Sequence, residues 1–225
     1  KRKVNVCVSE GLHNEFVTSM KYNSKNVTTI YNPINIKLIK STIHNLTEIP
    51  LKPYFLCVGR LTKQKRFDRA IEIFYKGEFY KKYNLVILGS GELENDLKSR
   101  IKLLGLEDRV HLLGWKQDIY SWMHNAEILL QTSEREALSM VLIEALASGT
   151  RVVASDCEYG AHEILRDELS MYIAKQDNIN DYIDKINKAL ESYPLSNHYR
   201  ILDMCDDTVV CNKYLDIYKK YFGKE

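Results

Sequence analysis

Along this chain, short runs of uniformly apolar residues alternate with segments whose apolar positions recur every three or four residues. Residues 54–58 (Tyr-Phe-Leu-Cys-Val) form a run of the first kind and stop at Gly59; Phe67, Ala70, Ile71 and Phe74 then fall at helical spacing. The alternation repeats. A run at 85–88 ends in Gly89-Ser90-Gly91, and Leu93, Leu97, Ile101 and Leu104 mark a helical stripe that stops at Gly105. Runs at 110–113, 128–130 and 152–154 follow, with helices expected at 119–124 and 140–147 and a weaker sixth strand at 171–173. Strands that are apolar throughout suit a parallel sheet covered on both faces, and the intervening helical periods supply the cover. The expected fold class is therefore α/β: a Rossmann-like, doubly wound parallel sheet with helices on both faces. Such sheets bind ligands at the carboxyl ends of their strands, which directs attention to the loops after Val58, Leu88, Leu113 and Leu130.

The first 50 residues follow a different plan. A strand at 4–8, a helix at 11–20 and a strand at 27–31 make one βαβ unit, which cannot cover both faces of its own sheet. Residues 1–35 thus read as the tail of a preceding domain. Polar residues 36–53, with Pro50 and Pro53, read as an interdomain linker. Residues 54–206 form the main domain and 207–225 a tyrosine-rich C-terminal helix. The chain begins at Lys1 rather than Met, so a piece of a longer protein is expected.

Charge and cysteine usage narrow the function classes. The 32 basic and 30 acidic side chains leave a formal charge of +2, which argues against a dedicated nucleic-acid binder. The five cysteines (Cys7, Cys57, Cys157, Cys205 and Cys211) are odd in number and none are spaced for zinc, so reduced thiols and a cytoplasmic setting are expected. No apolar run approaches the roughly 18 to 20 residues that span a bilayer. Lys1, Arg2 and Lys3 offer at most a peripheral contact with an anionic membrane, and a solvated terminus is the plainer alternative.

Three places carry candidate chemistry. The loop after the first main-domain strand, Gly59-Arg60-Leu61-Thr62-Lys63-Gln64-Lys65-Arg66, holds four cations just ahead of a helix. Arg60 can offer paired N–H donors and Lys65 a point charge to a diphosphate, aided by the helix N-terminus. A solvated basic turn explains the same residues equally well. Gly89-Ser90-Gly91 permits close backbone approach to a ligand, although tight βα turns need glycine for shape alone. Glu144 lies in the nearly all-apolar helix 140–147, where an unpaired carboxylate is costly unless it serves a site. A structural ion pair is the alternative there. Glu136, in the loop ahead of that helix, reads as functional or merely exposed.

Several of these stretches, in order and in register, resemble glycosyltransferase family 4. They are Val58-Gly59-Arg60-Leu61 followed by Gln64-Lys65; Leu88-Gly89-Ser90-Gly91-Glu92; Glu136 and Glu144 followed by Ala-Leu-Ala-Ser-Gly; and Ser155-Asp156-Cys157 through Gly160 to Glu163-Ile164-Leu165. The match covers about residues 54–165, and Val8-Ser9-Glu10 and Tyr31-Asn32-Pro33-Ile34-Asn35 resemble the end of the family's N-terminal domain.

The resemblance implies a GT-B architecture and a retaining transferase. Its C-terminal domain binds a nucleotide sugar, here expected to be UDP-linked, and its N-terminal domain binds a glycan or lipid-linked acceptor. By position, Gly59, Arg60 and Lys65 would hold the diphosphate, with Gly91 near it. Leu138 and Ser139 would donate backbone N–H groups, Glu144 would take the ribose hydroxyls, Glu136 the donor sugar, and Trp115 and Lys116 would border the base. Arg60, Lys65 and Glu136 are the candidate catalytic residues. A nucleotide lacking the sugar is not expected to report on Glu136. No metal or other cofactor is expected, because Arg and Lys replace the absent Asp-x-Asp motif. Ala137 departs from the glycine usual there. The stretch Asp156-Cys157 through Gly160 to Glu163-Ile164-Leu165 resembles bacterial enzymes of lipopolysaccharide or capsule synthesis, which implies a cytoplasmic enzyme or one at the inner face of the cytoplasmic membrane. The present chain alone, without the acceptor domain, is expected to be inactive. The rivals are another GT-B enzyme, such as a sugar epimerase, and a non-catalytic nucleotide-binding module. The latter lacks a Gly-x-Gly-x2-Gly after the first strand.

Overall fold

The computed structural model describes residues 4–44, 51, 53–196 and 199–222. A small parallel pair, β1 (Asn5–Cys7) and β2 (Val27–Thr29), is joined by helix α1 (Glu10–Thr18), whose N-terminus is capped by the Ser9 side chain accepting from Leu12 N–H. Helix α2 (Ile36–Thr42) follows, capped by Asn35. The main sheet comprises β3 (Tyr54–Val58), β4 (Asn84–Leu88), β5 (Val110–Leu112), β6 (Ile128–Gln131), β7 (Val152–Ser155) and β8 (Ile173–Ala174). Its order is β5-β4-β3-β6-β7-β8 and every pairing is parallel. The chain winds outward from β3 in one direction and from β6 in the other, so the switch point lies between those two strands.

The helices fill two layers. Helices α3 (Phe67–Lys76), α4 (Glu94–Leu103) and α8 (Ile179–Glu191) adjoin one another, as do α2, α5 (Ile119–His124), α6 (Met140–Ala147) and α9 (Arg200–Cys205). Helix α7 (Ala161–Ile164) is a single turn, and α10 (Asp207–Phe222) closes the chain. Strands β4, β6 and β7 are buried at every position, as expected of a sheet covered on both faces, and β3 is buried at all but Val58.

The structure bears out the expected fold class, with differences of detail. The stretch 36–53, read as a polar linker, contains α2: Ile39 is buried and belongs to the main hydrophobic core, and the helix packs on α5 and α6. So short a helix, with one buried position, carries too few apolar residues to show a period. Residues 45–50 and 52 of that stretch lie outside the described residues. The strand expected at 171–173 starts later, because 167–172 wind into a 3₁₀ helix that buries Leu169 and Tyr172 three residues apart. Helix α8 is an addition to the expected elements, with Tyr182, Ile186 and Ala189 lining its buried face. All five cysteines are free thiols, and all but Cys211 are buried.

The first 35 residues are bonded to the rest. Glu163, on α7, accepts from the N–H groups of Glu10 (2.9 Å) and Gly11 (2.8 Å) and from the Tyr31 hydroxyl (2.8 Å). It therefore caps α1 from a distance of about 150 residues along the chain. Ile34 N–H donates to Cys205 O, and Asp207 N–H to Ile34 O. Helix α10 then runs beside the small sheet, where the Tyr221 hydroxyl donates to Lys25 O.

At the carboxyl edge, β3, β4 and β5 end at or near a glycine, and the ends stack by main-chain bonds: Gly59 N–H to Leu88 O (2.9 Å) and Gly89 N–H to Gly114 O (2.8 Å). Gly89 sits at φ 135°, and a Cβ there would come within 1.9 Å of Gly59 O. Gly105 also has positive φ but open space around it. Gly105→Ala is therefore expected to cost about 1 kcal/mol, the strain of a left-handed alanine. Gly89→Ala must also push the ends of β3 and β4 away from each other, at a cost of at least about 3 kcal/mol. Denaturant melts of the two variants check this; equal shifts would contradict the contact.

Candidate nucleotide-sugar site

The basic loop after β3 leads into a 3₁₀ turn (Lys63–Lys65) and then α3, which begins at Phe67. Arg66 adopts a left-handed conformation and bonds Asp68 at 3.1 Å. Lys65 reaches back past Gly59 to pair with Glu136, Nζ to Oε1 2.6 Å, with side chains only 21% and 10% exposed. Arg60 is exposed, and no ion pair engages it or Lys63 among the described residues. Two of the four cations are thus neutralised within the protein, while Arg60 and Lys63 leave a net positive loop at the ligand edge of the sheet.

The loop carrying Glu136 is stitched to that basic loop. Glu134 N–H donates to Gln64 O (2.8 Å), Gln64 Nε2 to Arg135 O (2.7 Å), and the Thr132 hydroxyl contacts Lys65 O and Arg66 O. From the other side Gln176 Nε2 donates to Glu134 O (2.6 Å). The buried Arg69 guanidinium bonds Asp177 at 2.8 Å and approaches Thr132 O. In the sequence Gln64 stands out only as one position of a motif, and nothing marks Thr132, Arg69 or Gln176. Their partners lie 42 to 108 residues away, beyond the reach of any local pattern. Ala137 stands exposed without a positive φ, so the loop does not demand the glycine usual there.

Leu138 and Ser139 are buried where that loop enters α6, and no side chain caps the helix. Its first N–H groups have no partner inside the helix. Just over one turn further, Glu144 is partly buried and makes no ion pair or side-chain hydrogen bond among the described residues. Burial raises its carboxyl from the ordinary 4.5 to about 7. It lies close enough to Tyr120, on α5, to help raise that phenol after burial has done most of it. The structural ion pair that was the alternative for Glu144 is not formed with any described residue.

A cleft of about 240 Å³ opens over the ends of β3, β4 and β5, lined by Gly59, Arg60, Gly89, Ser90, Trp115 and Lys116. Trp115 is 72% exposed, presenting a free aromatic face. Glu136, Leu138, Ser139 and Glu144 do not line this cleft; Lys65, packed on Gly59 and bonded to Glu136, links the two halves. Gly91 lies outside it. A Cβ on Gly91 would come within 2.5 to 2.8 Å of the Leu61 backbone, so its place in the structure is the packing of two loops, supported by Leu61 N–H to Ser90 O. His111 contacts the Asn84 side chain and His124 the Ser148 carbonyl oxygen.

An open parallel sheet with an electropositive loop, an uncapped helix N-terminus and an uncompensated carboxylate at one edge defines an α/β protein of the doubly wound class. The particular family follows from comparison. The profile described as glycosyl transferases group 1 matches residues 40–201, and the chain belongs to that family.

Relatives agree. The chain is 34% identical over 193 residues to the Campylobacter jejuni N-acetylgalactosamine-N,N'-diacetylbacillosaminyl-diphospho-undecaprenol 4-alpha-N-acetylgalactosaminyltransferase, covering 85% of this chain and 52% of that protein. It is 27% identical over 193 residues to the Salmonella typhimurium lipopolysaccharide 1,6-galactosyltransferase, covering 82% and 52%. The chain spans about half the length of these curated relatives. Among solved structures, Anabaena Alr3699/HepE in complex with UDP superposes with a TM-score of 0.82 at 19% identity, covering 97% of this chain and 64% of that one. Staphylococcus aureus TarM, solved with UDP among its ligands, gives 0.79 at 21% identity, covering 95% and 43%. These likenesses establish the GT-B type of fold.

The Glu144 carboxylate makes a pH prediction. Its folded-state value of about 7 lies above the ordinary 4.5, so its contribution is fully present below pH 4.5 and is lost as pH rises through 7, where the buried group must ionise. Glu144→Gln does not titrate. The melting temperature of the variant relative to wild type should therefore climb between pH 5 and pH 8. A pH-independent difference would mean that Glu144 is compensated.

Proposed function

We propose that this chain holds the donor of a retaining glycosyltransferase: a nucleoside-diphosphate sugar, UDP-linked, whose hexose or N-acetylhexosamine passes to a glycan or lipid-linked acceptor in bacterial surface polysaccharide synthesis. In this reading residues 54–206 form the donor domain and residues 1–35 belong to the acceptor domain. The observation that carries it is the unpaired, partly buried Glu144 just inside the uncapped helix α6, beside a basic edge. An unsatisfied carboxylate of this kind is retained where a ligand's hydroxyl groups complete it. The name of the Salmonella relative supplies the polysaccharide context, and that of the Campylobacter relative an undecaprenol-linked substrate. Such a substrate would place the enzyme at the inner face of the cytoplasmic membrane; no helix among the described residues is long and apolar enough to cross one.

The roles follow from position. Trp115 and Lys116 border the base, Glu144 accepts from the ribose, and Arg60, Lys65 and the N–H groups at Leu138 and Ser139 meet the diphosphate. Glu136 receives the hydroxyls of the sugar. As the glycosidic bond breaks, charge grows on the departing diphosphate and positive charge on the anomeric carbon. Fixed cations and helix N–H groups at the former lower the barrier without solvent reorganisation. The acceptor hydroxyl then attacks the short-lived oxocarbenium-like sugar on the face the leaving group occupied, giving its proton to the departing diphosphate, which preserves configuration. Neutralising the diphosphate with side chains makes a metal unnecessary.

Calorimetry on this chain with UDP, GDP and ADP tests the reading. UDP is expected to bind with similar affinity in magnesium and in EDTA, and turnover by this chain alone to be negligible. Arg60→Ala should weaken UDP by tenfold or more, since a charge-assisted hydrogen bond is worth roughly 1.5 to 3 kcal/mol, while uridine changes little. Failure of all three nucleotides to bind would overturn the assignment.

A further inference from the structure

Two side chains assigned to different portions of the donor are bonded to each other. Lys65 Nζ lies 2.6 Å from Glu136 Oε1, and both side chains are largely sheltered from water. No other side-chain bond engages either ion among the described residues. In such a place the attraction is screened less than at an open surface, and removing one partner strands the charge of the other. A diphosphate that takes Lys65 as its counter-ion must therefore break the pair. A nucleotide without a sugar gives Glu136 nothing in return, because phosphate oxygens are acceptors and carry the same sign of charge. The hydroxyl groups of a linked sugar are donors and complete the carboxylate.

We infer, on the basis of the proposed donor site, that Glu136 is a specificity-determining residue which uses its ion pair with Lys65 to disfavour the bare nucleoside diphosphate relative to the intact nucleotide sugar. The same exchange acts after transfer. Once the sugar has left, Glu136 recaptures Lys65 and draws it off the diphosphate, which favours product release. Sequence alone offers no reason for Glu136 to influence a ligand that lacks the sugar; the 2.6 Å contact supplies one.

The experiment is a double-mutant cycle on this chain with Glu136→Gln, Lys65→Ala and the pair combined. Each protein is titrated with UDP and with UDP-glucose, UDP-galactose, UDP-N-acetylglucosamine and UDP-N-acetylgalactosamine, and melting curves check folding. Glu136→Gln is expected to tighten UDP about fivefold, the upper end for a partly exposed pair, and to weaken the best-bound UDP-sugar. In the Lys65→Ala background the same change should leave UDP affinity unmoved. Glu136→Asp keeps the charge but withdraws it from Lys65, so it should tighten UDP by a smaller factor; it serves if the amide variant does not fold. UDP affinity that stays level or falls in Glu136→Gln overturns the inference. UDP affinity unchanged in Lys65→Ala overturns the donor-site reading itself.

Discussion

Backbone-to-backbone contact at the carboxyl edge of the sheet is the constraint on which the site depends. Gly89 approaches Gly59 so closely that no Cβ fits between them, and Gly91 lies nearly as tight against Leu61. Those contacts bring the loops after β3 and β4 together as one surface, with the Trp115 loop beside them. The basic residues are consequently displayed from a fixed main chain. A flexible loop would have to be ordered on binding at a cost in entropy, and this one largely is ordered beforehand.

Electrostatic tension is distributed unevenly over that surface. Gln64 and Thr132 use main-chain and side-chain bonds to set the Glu136 loop against the basic loop, and the Lys65–Glu136 pair forms at the seam. Glu144 has no such relief, and its carboxyl is raised by burial. One glutamate, in the loop ahead of α6, is satisfied within the protein; the other, just over one turn inside the helix, is not. On the proposed function, this difference separates a group that its ligand must release from one that its ligand completes.

Glu163 performs the corresponding task for the architecture. By accepting from two α1 N–H groups and the Tyr31 hydroxyl, it ties the β1–α1–β2 unit to α7, just past the loop end at Gly160. Helix α10 returns along the same small sheet, so both ends of the described chain meet on one side of the main domain.

The main sheet was legible from the sequence because strands buried on both faces are apolar at nearly every position, and helices covering them repeat with their own period. Runs such as 54–58 and 128–130 announce themselves for that reason. The anomalous Glu144 was legible too, since a carboxylate in an apolar helix conflicts with its surroundings before any coordinates are known. What the tertiary structure alone decided is which charges meet. Nothing local shows that Lys65 pairs with Glu136 while Lys63 pairs with no described residue. Nor does anything local show that Gly91 packs against the Leu61 backbone, or that residues 36–42 coil into a helix on the core. Apolar periodicity is a property of neighbours along the chain. The Gly59–Gly89 contact, the Lys65–Glu136 pair and the Glu163 cap join residues about 30 to 150 positions apart, and only folding brings them within reach.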